Sequence, residues 1–191
     1  MSARLCVASA SLVLMATLAG CAGMSETPAN PVTLVPRVDL PRFMGDWYVI
    51  ANIPTFLEKG AHNAVDTYRL DADGSIATTF TYNAGRDDGP VKAWHPRGFV
   101  VPGTGDAVWG MRFVWPIRAE YRIFYVDEAY SRTIIARSAR DYLWIMARTP
   151  QIPEEELRRL IALAGEAGYD TGRIQRVPQR AVAAATAGGA P

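Results

Sequence analysis

Lysine is nearly absent from this 191-residue chain, cysteine is absent from its body, and histidine appears only twice. Each shortage excludes something. The lysines are Lys59 and Lys92, yet Lys plus Arg total 20 against 19 Asp plus Glu, so the formal net charge is +1. A chain so balanced projects no strong field, and no nucleic-acid partner is expected, because such domains carry a clear basic excess. Cys6 and Cys21 both lie near the start, and Ala22 to Pro191 contain no cysteine. The body therefore has no disulfide, no thiolate metal site and no cysteine nucleophile. His62 and His95 have no second histidine or cysteine at ligand spacing, so no metal and no other cofactor is expected. No glycine-rich phosphate loop precedes a helix. No catalytic set emerges, and the chain reads as a non-enzyme.

Long apolar runs are missing too. The longest, from Leu5 to about Leu18 after Arg4, is the size of a signal-peptide core and shorter than the ~20 residues of a membrane span. It ends in Leu18-Ala19-Gly20-Cys21, which resembles the bacterial lipoprotein signal. The resemblance implies removal of residues 1–20 and acylation of Cys21 on its sulfur and amine. Small residues let an extended segment enter the peptidase, and the thiol is the group alkylated. Several acyl chains anchor stably, since each buried CH2 adds ~0.8 kcal/mol. Ala22, where an aspartate would suggest inner-membrane retention, favours the outer membrane, with the protein on its periplasmic face. Residues 21–38, rich in proline and small residues, read as a tether, 39–179 as one domain, and 180–191 as a disordered low-complexity tail.

Inside the domain the dominant period is two. Strands are expected over Trp47–Ile53, Ala64–Leu70, Ile76–Tyr82, Val91–Val101, Val108–Val114, Glu120–Val126, Thr133–Arg137 and Tyr142–Arg148. Turn sequences such as Asp71-Ala72-Asp73-Gly74 join them. One helix follows, with Pro153 in its first turn, Glu154, Glu155 and Glu156 on its positive end, and an apolar stripe of Leu157, Leu160, Ile161 and Ala164. Gly165 or Gly168 ends it, and a short strand is expected near Arg173–Val177. Eight hairpin-linked strands suggest closure into an all-β, antiparallel up-and-down barrel with the C-terminal helix packed outside; a sandwich is the competing answer. Tyr142, Trp144 and Met146 share one face of the last strand, and Leu143, Ile145 and Ala147 share the other, under the helix.

Three segments carry a family resemblance. Gly45-Asp46-Trp47 opens the first strand, Tyr125–Ala136 holds Asp127 and Tyr130, and Asp141–Pro150 holds Arg148. In this order and at these spacings they resemble the three motifs of the lipocalin family, in its bacterial outer-membrane branch and relatives similar to apolipoprotein D. The resemblance covers about Leu40 to Gln179. It implies that Trp47 lies across the closed end of the barrel, that Arg148 packs on its ring, and that Gly45 leaves room for the chain to turn beneath. It also leaves a homodimer open, since bacterial relatives dimerise.

Such a barrel can hold one small ligand. With Arg69, Arg112 and Arg122 facing water, strand alternation gives an inward set of Asp66, Tyr68, Phe80, Tyr82, Trp109, Met111, Phe113, Tyr121, Ile123, Tyr125, Tyr142, Trp144 and Met146. These are the candidate ligand-binding residues. Their aromatic character suits an acyl chain, so fatty acids or lysophospholipids are the expected ligands, stored or moved for membrane maintenance. Asp66 is the odd member, because a carboxyl inside an apolar barrel must be paired, hydrated or protonated; an outward register is its alternative. Glu58, Lys59, His62 and Asn63 lie on the first long loop, which the resemblance implies partly lids the open end; either charge there could meet a phosphate or carboxylate head, and a solvated loop is the plainer reading. Two other readings stay open: an envelope lipoprotein with a filled barrel whose surface does the work, and an enzyme on a lipophilic small molecule using Asp66 or His95.

Overall fold

The computed structural model describes residues 32–180. Ten strands and two helices follow in order: α1 (Leu40–Phe43), β1 (Gly45–Ile53), β2 (Ala61–Leu70), β3 (Ile76–Ala84), β4 (Val91–Trp94), β5 (Arg97–Val100), β6 (Val108–Val114), β7 (Ile117–Val126), β8 (Arg132–Ala136), β9 (Leu143–Ala147), α2 (Glu154–Glu166) and β10 (Gln175–Arg176). Sequential antiparallel pairing runs from β1 to β9, and β9 pairs back onto β1, so the sheet closes into a barrel. β4 and β5 share one course, and β10 lies outside the ring, which makes it eight-stranded. Closure satisfies the backbone donors and acceptors that an open sheet would leave on two edges.

The course expected as one strand over Val91–Val101 is interrupted at His95-Pro96. Pro96 has no N–H for the ladder, though its carbonyl accepts from Thr78 N at 3.1 Å. Below the break β5 pairs with β6; above it β4 pairs with β3 alone. On the far side, β1 and β2 part after Tyr48 and Val65, and the chain around β10 fills the gap. Gln179 Nε2 donates to both Val49 O and Ala64 O there, each at 2.9 Å.

Two cores result from strand alternation. The inner one fills the lower barrel around Trp47, Tyr68, Trp109, Ile123 and Met146. The outer one lies where Leu143, Ile145 and Ala147 of β9 meet Leu157, Leu160 and Ala164 of α2. One strand thus serves both, as its two apolar faces require. Among the described residues both cores belong to one barrel-and-helix unit, the ordinary content of a domain. Residues 32–38, read from sequence as tether, lie against the barrel instead: Val32 and Val38 are buried, and Val35 N donates to Ile123 O. Cys21, the signal sequence and residues 181–191 fall outside the described residues.

The closed end is built by α1 and the three motif segments. Gly45 has φ +93°, a left-handed conformation that side chains rarely adopt, and a Cβ there would meet Arg148 Nη1 at 3.4 Å. Trp47 is fully buried and its indole N–H donates to Phe43 O at 2.8 Å. The Arg148 guanidinium lies 3.9 Å from the Trp47 ring centroid. Asp127 organises the β7–β8 turn by accepting from Ser131 N, Ser131 Oγ and Arg132 N at 2.6, 2.6 and 3.0 Å. These bonds hold its carboxyl below the usual range, against the upward pull of partial burial. Asp127→Ala should therefore cost about 2 kcal/mol, since two backbone donors and a hydroxyl lose a charged acceptor. Urea unfolding checks it, and a loss under 0.5 kcal/mol would remove the turn from the list of fold determinants. Tyr130, at φ +54° in the same turn, accepts from Asp39 N through its hydroxyl and carries the Arg42 guanidinium over its ring.

Candidate functional site

Above the closed end the barrel is hollow. A cavity of about 480 Å³ opens at the end opposite Trp47, within the range of small-molecule sites. Its base is a pair of phenols. Tyr68 and Tyr121 hydroxyls are 2.7 Å apart, and Tyr121 stacks on Trp109 with centroids 5.0 Å and planes 8° apart. Phe43 meets the Trp109 ring edge-on from below. These rings, with Trp47, plug the lower barrel. Gly98 lets β5 approach that plug, because a Cβ there would sit 3.0 Å from Met111 Sδ and 3.3 Å from Ile76 Cβ.

Of the residues expected to line a cavity, Asp66, Tyr68, Phe80, Met111, Phe113, Tyr121, Tyr142 and Trp144 are in its wall. Trp109, Ile123 and Met146 point inward but lie below it, in the packed plug. Tyr82 is also inside the barrel but outside the cavity wall; its hydroxyl donates to Leu57 O at 2.9 Å, beneath the β1–β2 loop. Tyr125 is the outright correction. The pairing of β7 with β8 slips between Ile123 and Tyr125, a β-bulge that turns Phe124 and Tyr125 both outward. Tyr125 packs on the outer core and accepts from Arg159 Nη2 of α2 at 2.9 Å.

The sequence also misread Glu58. It is not solvated: only 9% exposed, it faces the cavity from the β1–β2 loop. Thr55 N donates to Oε2 at 2.8 Å and the Trp144 indole N–H to Oε1 at 2.6 Å. The spacing of Thr55 and Glu58 is that of a side chain closing its own loop, the one local signal available. Burial pushes the Glu58 carboxyl above its usual range, against these bonds. His95, by contrast, is exposed and bonds Thr79 Oγ1, away from the cavity.

Asp66 faces inward, between Trp47 of β1 and Phe80 of β3 in register. Burial, and then the nearby Glu58 carboxyl, push it up to about 8 from an ordinary 3.8. Burial and then Asp66 also raise the Tyr68 and Tyr121 phenols well above their usual range. Below about pH 4 Asp66 is protonated in folded and unfolded chains alike, so its contribution to stability is fully present. Between about pH 4 and about pH 8 the unfolded chain has released this proton and the folded chain keeps it. Each rise in pH across that window then favours unfolding. The melting temperature of the ligand-free chain should fall from pH 4.5 to pH 8, and Asp66→Asn should flatten the slope. An unchanged slope in that variant would place Asp66 in water.

The mouth of the cavity is apolar. Phe56 is 77% exposed and Trp115 78%, with Val114, Ile117 and Phe113 also exposed. Arg137 and Glu120 are the charged groups near the rim that line the cavity. Arg137 Nη1 pairs with Asp141 Oδ2 at 3.1 Å, and Glu120 pairs with Arg122 at 2.6 Å and accepts from Ser138 N at 2.7 Å. Among the described residues no group of three or more His, Cys, Asp or Glu is gathered for a metal ion.

The geometry has relatives. Residues 38–179 match the family model described as a lipocalin-like domain. The chain is 31% identical over 159 residues to the outer membrane lipoprotein Blc of Citrobacter freundii, covering 81% of this chain and 87% of that one. It is 30% identical over 169 residues to temperature-induced lipocalin-1 of Arabidopsis thaliana, covering 80% and 86%. Lobster apocrustacyanin A1 superposes with a TM-score of 0.59 at 15% identity, over 81% of this chain and 93% of that structure, a likeness of fold alone.

Proposed function

This chain belongs to the lipocalin family, and on that premise we propose that its barrel holds one amphiphile, a fatty acid or lysophospholipid, at the bacterial outer membrane. The family's members are binding and transport proteins, and a lipocalin-type small-molecule binding role follows from membership. The observation that carries the finer reading is the cavity of about 480 Å³, walled by Phe80, Met111, Trp144 and Tyr142 and opening through an exposed apolar rim. Apolar walls stabilise an alkyl chain by ~0.8 kcal/mol per buried CH2. The rim lets a chain pass between a membrane and the cavity with little contact with water. Anchoring through acylated Cys21, on the periplasmic face, is supported by the Leu18-Ala19-Gly20-Cys21 sequence and by the similarity to lipoproteins named for that membrane.

The open cavity speaks against a barrel filled by its own side chains. Titration of the chain from residue 22 onward with a fluorescent sixteen-carbon fatty acid, and separately with a lysophospholipid, tests the reading. Saturable binding near one ligand per barrel is expected. No saturable binding of either would leave the surface, and not the cavity, as the working part.

A further inference from the structure

Among the described residues nine large apolar side chains stand exposed, and seven of them surround the mouth of the cavity; only Leu70 and Val101 lie at the closed end. Phe56 comes from the β1–β2 loop, Val91 and Trp94 from β4, and the others from the β6–β7 hairpin. Val114 pairs with Ile117 across that hairpin, so Trp115 and Pro116 form its tip. Tips of soluble hairpins favour Asn, Asp and Gly. This tip is apolar throughout, from Phe113 to Ile117, and is bracketed by Arg112 and Arg118. Val114, Trp115 and Ile117 are each at least 70% exposed. A contiguous apolar patch of this kind marks an interaction site.

Charge indicates what covers it. Both lysines of the chain stand beside the patch, Lys59 three residues from Phe56 and Lys92 next to Val91. Lys59, Lys92 and Arg118 are exposed and have no ion-pair partner among the described residues. The acids at this end are engaged: Asp87 by His62, Asp88 by Arg86, Glu120 by Arg122 and Asp141 by Arg137. The unpaired charge around the apolar rim is therefore positive. An apolar centre with a basic border complements an anionic lipid surface. A second copy docked mouth to mouth would instead set like charges against like.

The patch is continuous with the cavity. Above His95-Pro96, β4 pairs with β3 alone, and the ladder of β6 with β5 ends at Arg112. Trp94 and Phe113, one on each side of this seam, both line the cavity and both reach the surface. Eleven residues separate Cys21 from Val32, a reach of up to about 37 Å at ~3.4 Å each. The ten residues of β2 span about 33 Å from mouth to closed end, so an acylated Cys21 can share one bilayer plane with the rim.

We propose that the rim is itself a bilayer-docking surface. Trp115, Ile117 and Phe56 enter the headgroup–acyl boundary, and Lys59, Lys92 and Arg118 meet anionic headgroups, so the mouth faces the membrane. Docking deepens the lipid reading of the cavity, on which it rests, by naming the surface through which the amphiphile passes.

Vesicle sedimentation of the chain from residue 22 onward, which lacks Cys21 and keeps every described residue, tests this. Circular dichroism establishes that each chain is folded. Saturable binding to phosphatidylglycerol–phosphatidylcholine vesicles is expected, and weaker binding to phosphatidylcholine alone. Trp115→Ser with Ile117→Ser should lower the partition by roughly tenfold or more, since two large apolar side chains no longer leave water. Lys59→Glu with Lys92→Glu should remove the preference for phosphatidylglycerol. Leu70→Ser with Val101→Ser, at the closed end, should change nothing. Trp115 and Ile117 lie outside the cavity wall, so fatty-acid titration without vesicles decides the cavity reading separately. No vesicle binding, or binding that survives the Trp115→Ser, Ile117→Ser change, would overturn docking and leave the cavity reading intact. A dimer that this double change converts to monomer would assign the rim to a second copy and overturn docking too. Vesicle binding without saturable fatty-acid binding would overturn the cavity reading alone.

Discussion

Arg148→Ala should destabilise the ligand-free chain by about 3 kcal/mol or more, a fall in melting temperature of about 10 °C. The reason is the number of groups that depend on one guanidinium. Nη2 donates to Arg42 O, Phe43 O and Met44 O at 2.8, 3.1 and 2.8 Å. Nη1 donates to Asp46 O at 2.8 Å and Nε to Tyr130 O at 3.2 Å. These carbonyls come from α1, the start of β1 and the β7–β8 turn, and one side chain ties all three together. The face of the guanidinium rests on Trp47, adding a cation–π contact of about 0.5–2 kcal/mol. Alanine removes all five bonds and the ring contact, and of the five carbonyls Phe43 O keeps its bond from Trp47 Nε1. Arg148→Lys should recover less than half, because an ammonium has three donors and no planar fork. Trp47→Ala should fall in the range of about 3–5 kcal/mol for loss of a buried aromatic. Ligand preference should persist in whatever fraction folds, since the plug of Tyr68, Tyr121 and Trp109 separates both residues from the cavity. Thermal and urea unfolding check these values. A loss under 0.5 kcal/mol for Arg148→Ala would mean that the closed end holds together without this guanidinium, through its packing and the bonds of Asp39, Arg42 and Trp47.

Ala119→Trp should weaken binding of a sixteen-carbon fatty acid by about 100-fold or more while leaving the fold intact. Ala119 lines the cavity from β7, opposite Met111 of β6. An indole there occupies space the alkyl chain needs. Displacing only four methylenes costs about 3 kcal/mol at ~0.8 kcal/mol each, and every 1.4 kcal/mol is tenfold in affinity. The added ring packs against existing apolar walls, so stability should hold or rise. Circular dichroism and a melting curve beside the fatty-acid titration separate the two effects. Undiminished binding by a folded Ala119→Trp chain would place the ligand outside the barrel.

The closed end was legible in the sequence, and the cavity only in outline. Trp47 and Arg148 lie far apart in the chain, and only motif resemblance joins them; alternation and spacing could not. The two-faced character of β9 was readable directly, because Leu143, Ile145 and Ala147 alternate with Trp144 and Met146 over a short, unbroken strand. Tyr125 was lost for a physical reason. After Arg122 the run Ile123-Phe124-Tyr125-Val126 has no polar residue to mark which face is out. A bulge there leaves no trace in the pattern. Trp109, Ile123 and Met146 were assigned to the correct side of the wall, but depth along the barrel depends on how rings stack, which alternation does not encode. For Glu58 the solvated reading ranked above a role at the ligand, because carboxyls on loops are usually solvated. Its burial depends on Trp144, distant in sequence, folding back to donate to it.

The central claim, one amphiphile inside the barrel, is tested most directly by native mass spectrometry of the chain purified from cells that express it. The account predicts a single adduct per chain with the mass of a fatty acid or lysophospholipid, released on unfolding and missing from Ala119→Trp. A bare chain that takes up no amphiphile when one is added, or an adduct that persists unchanged in Ala119→Trp, would contradict it.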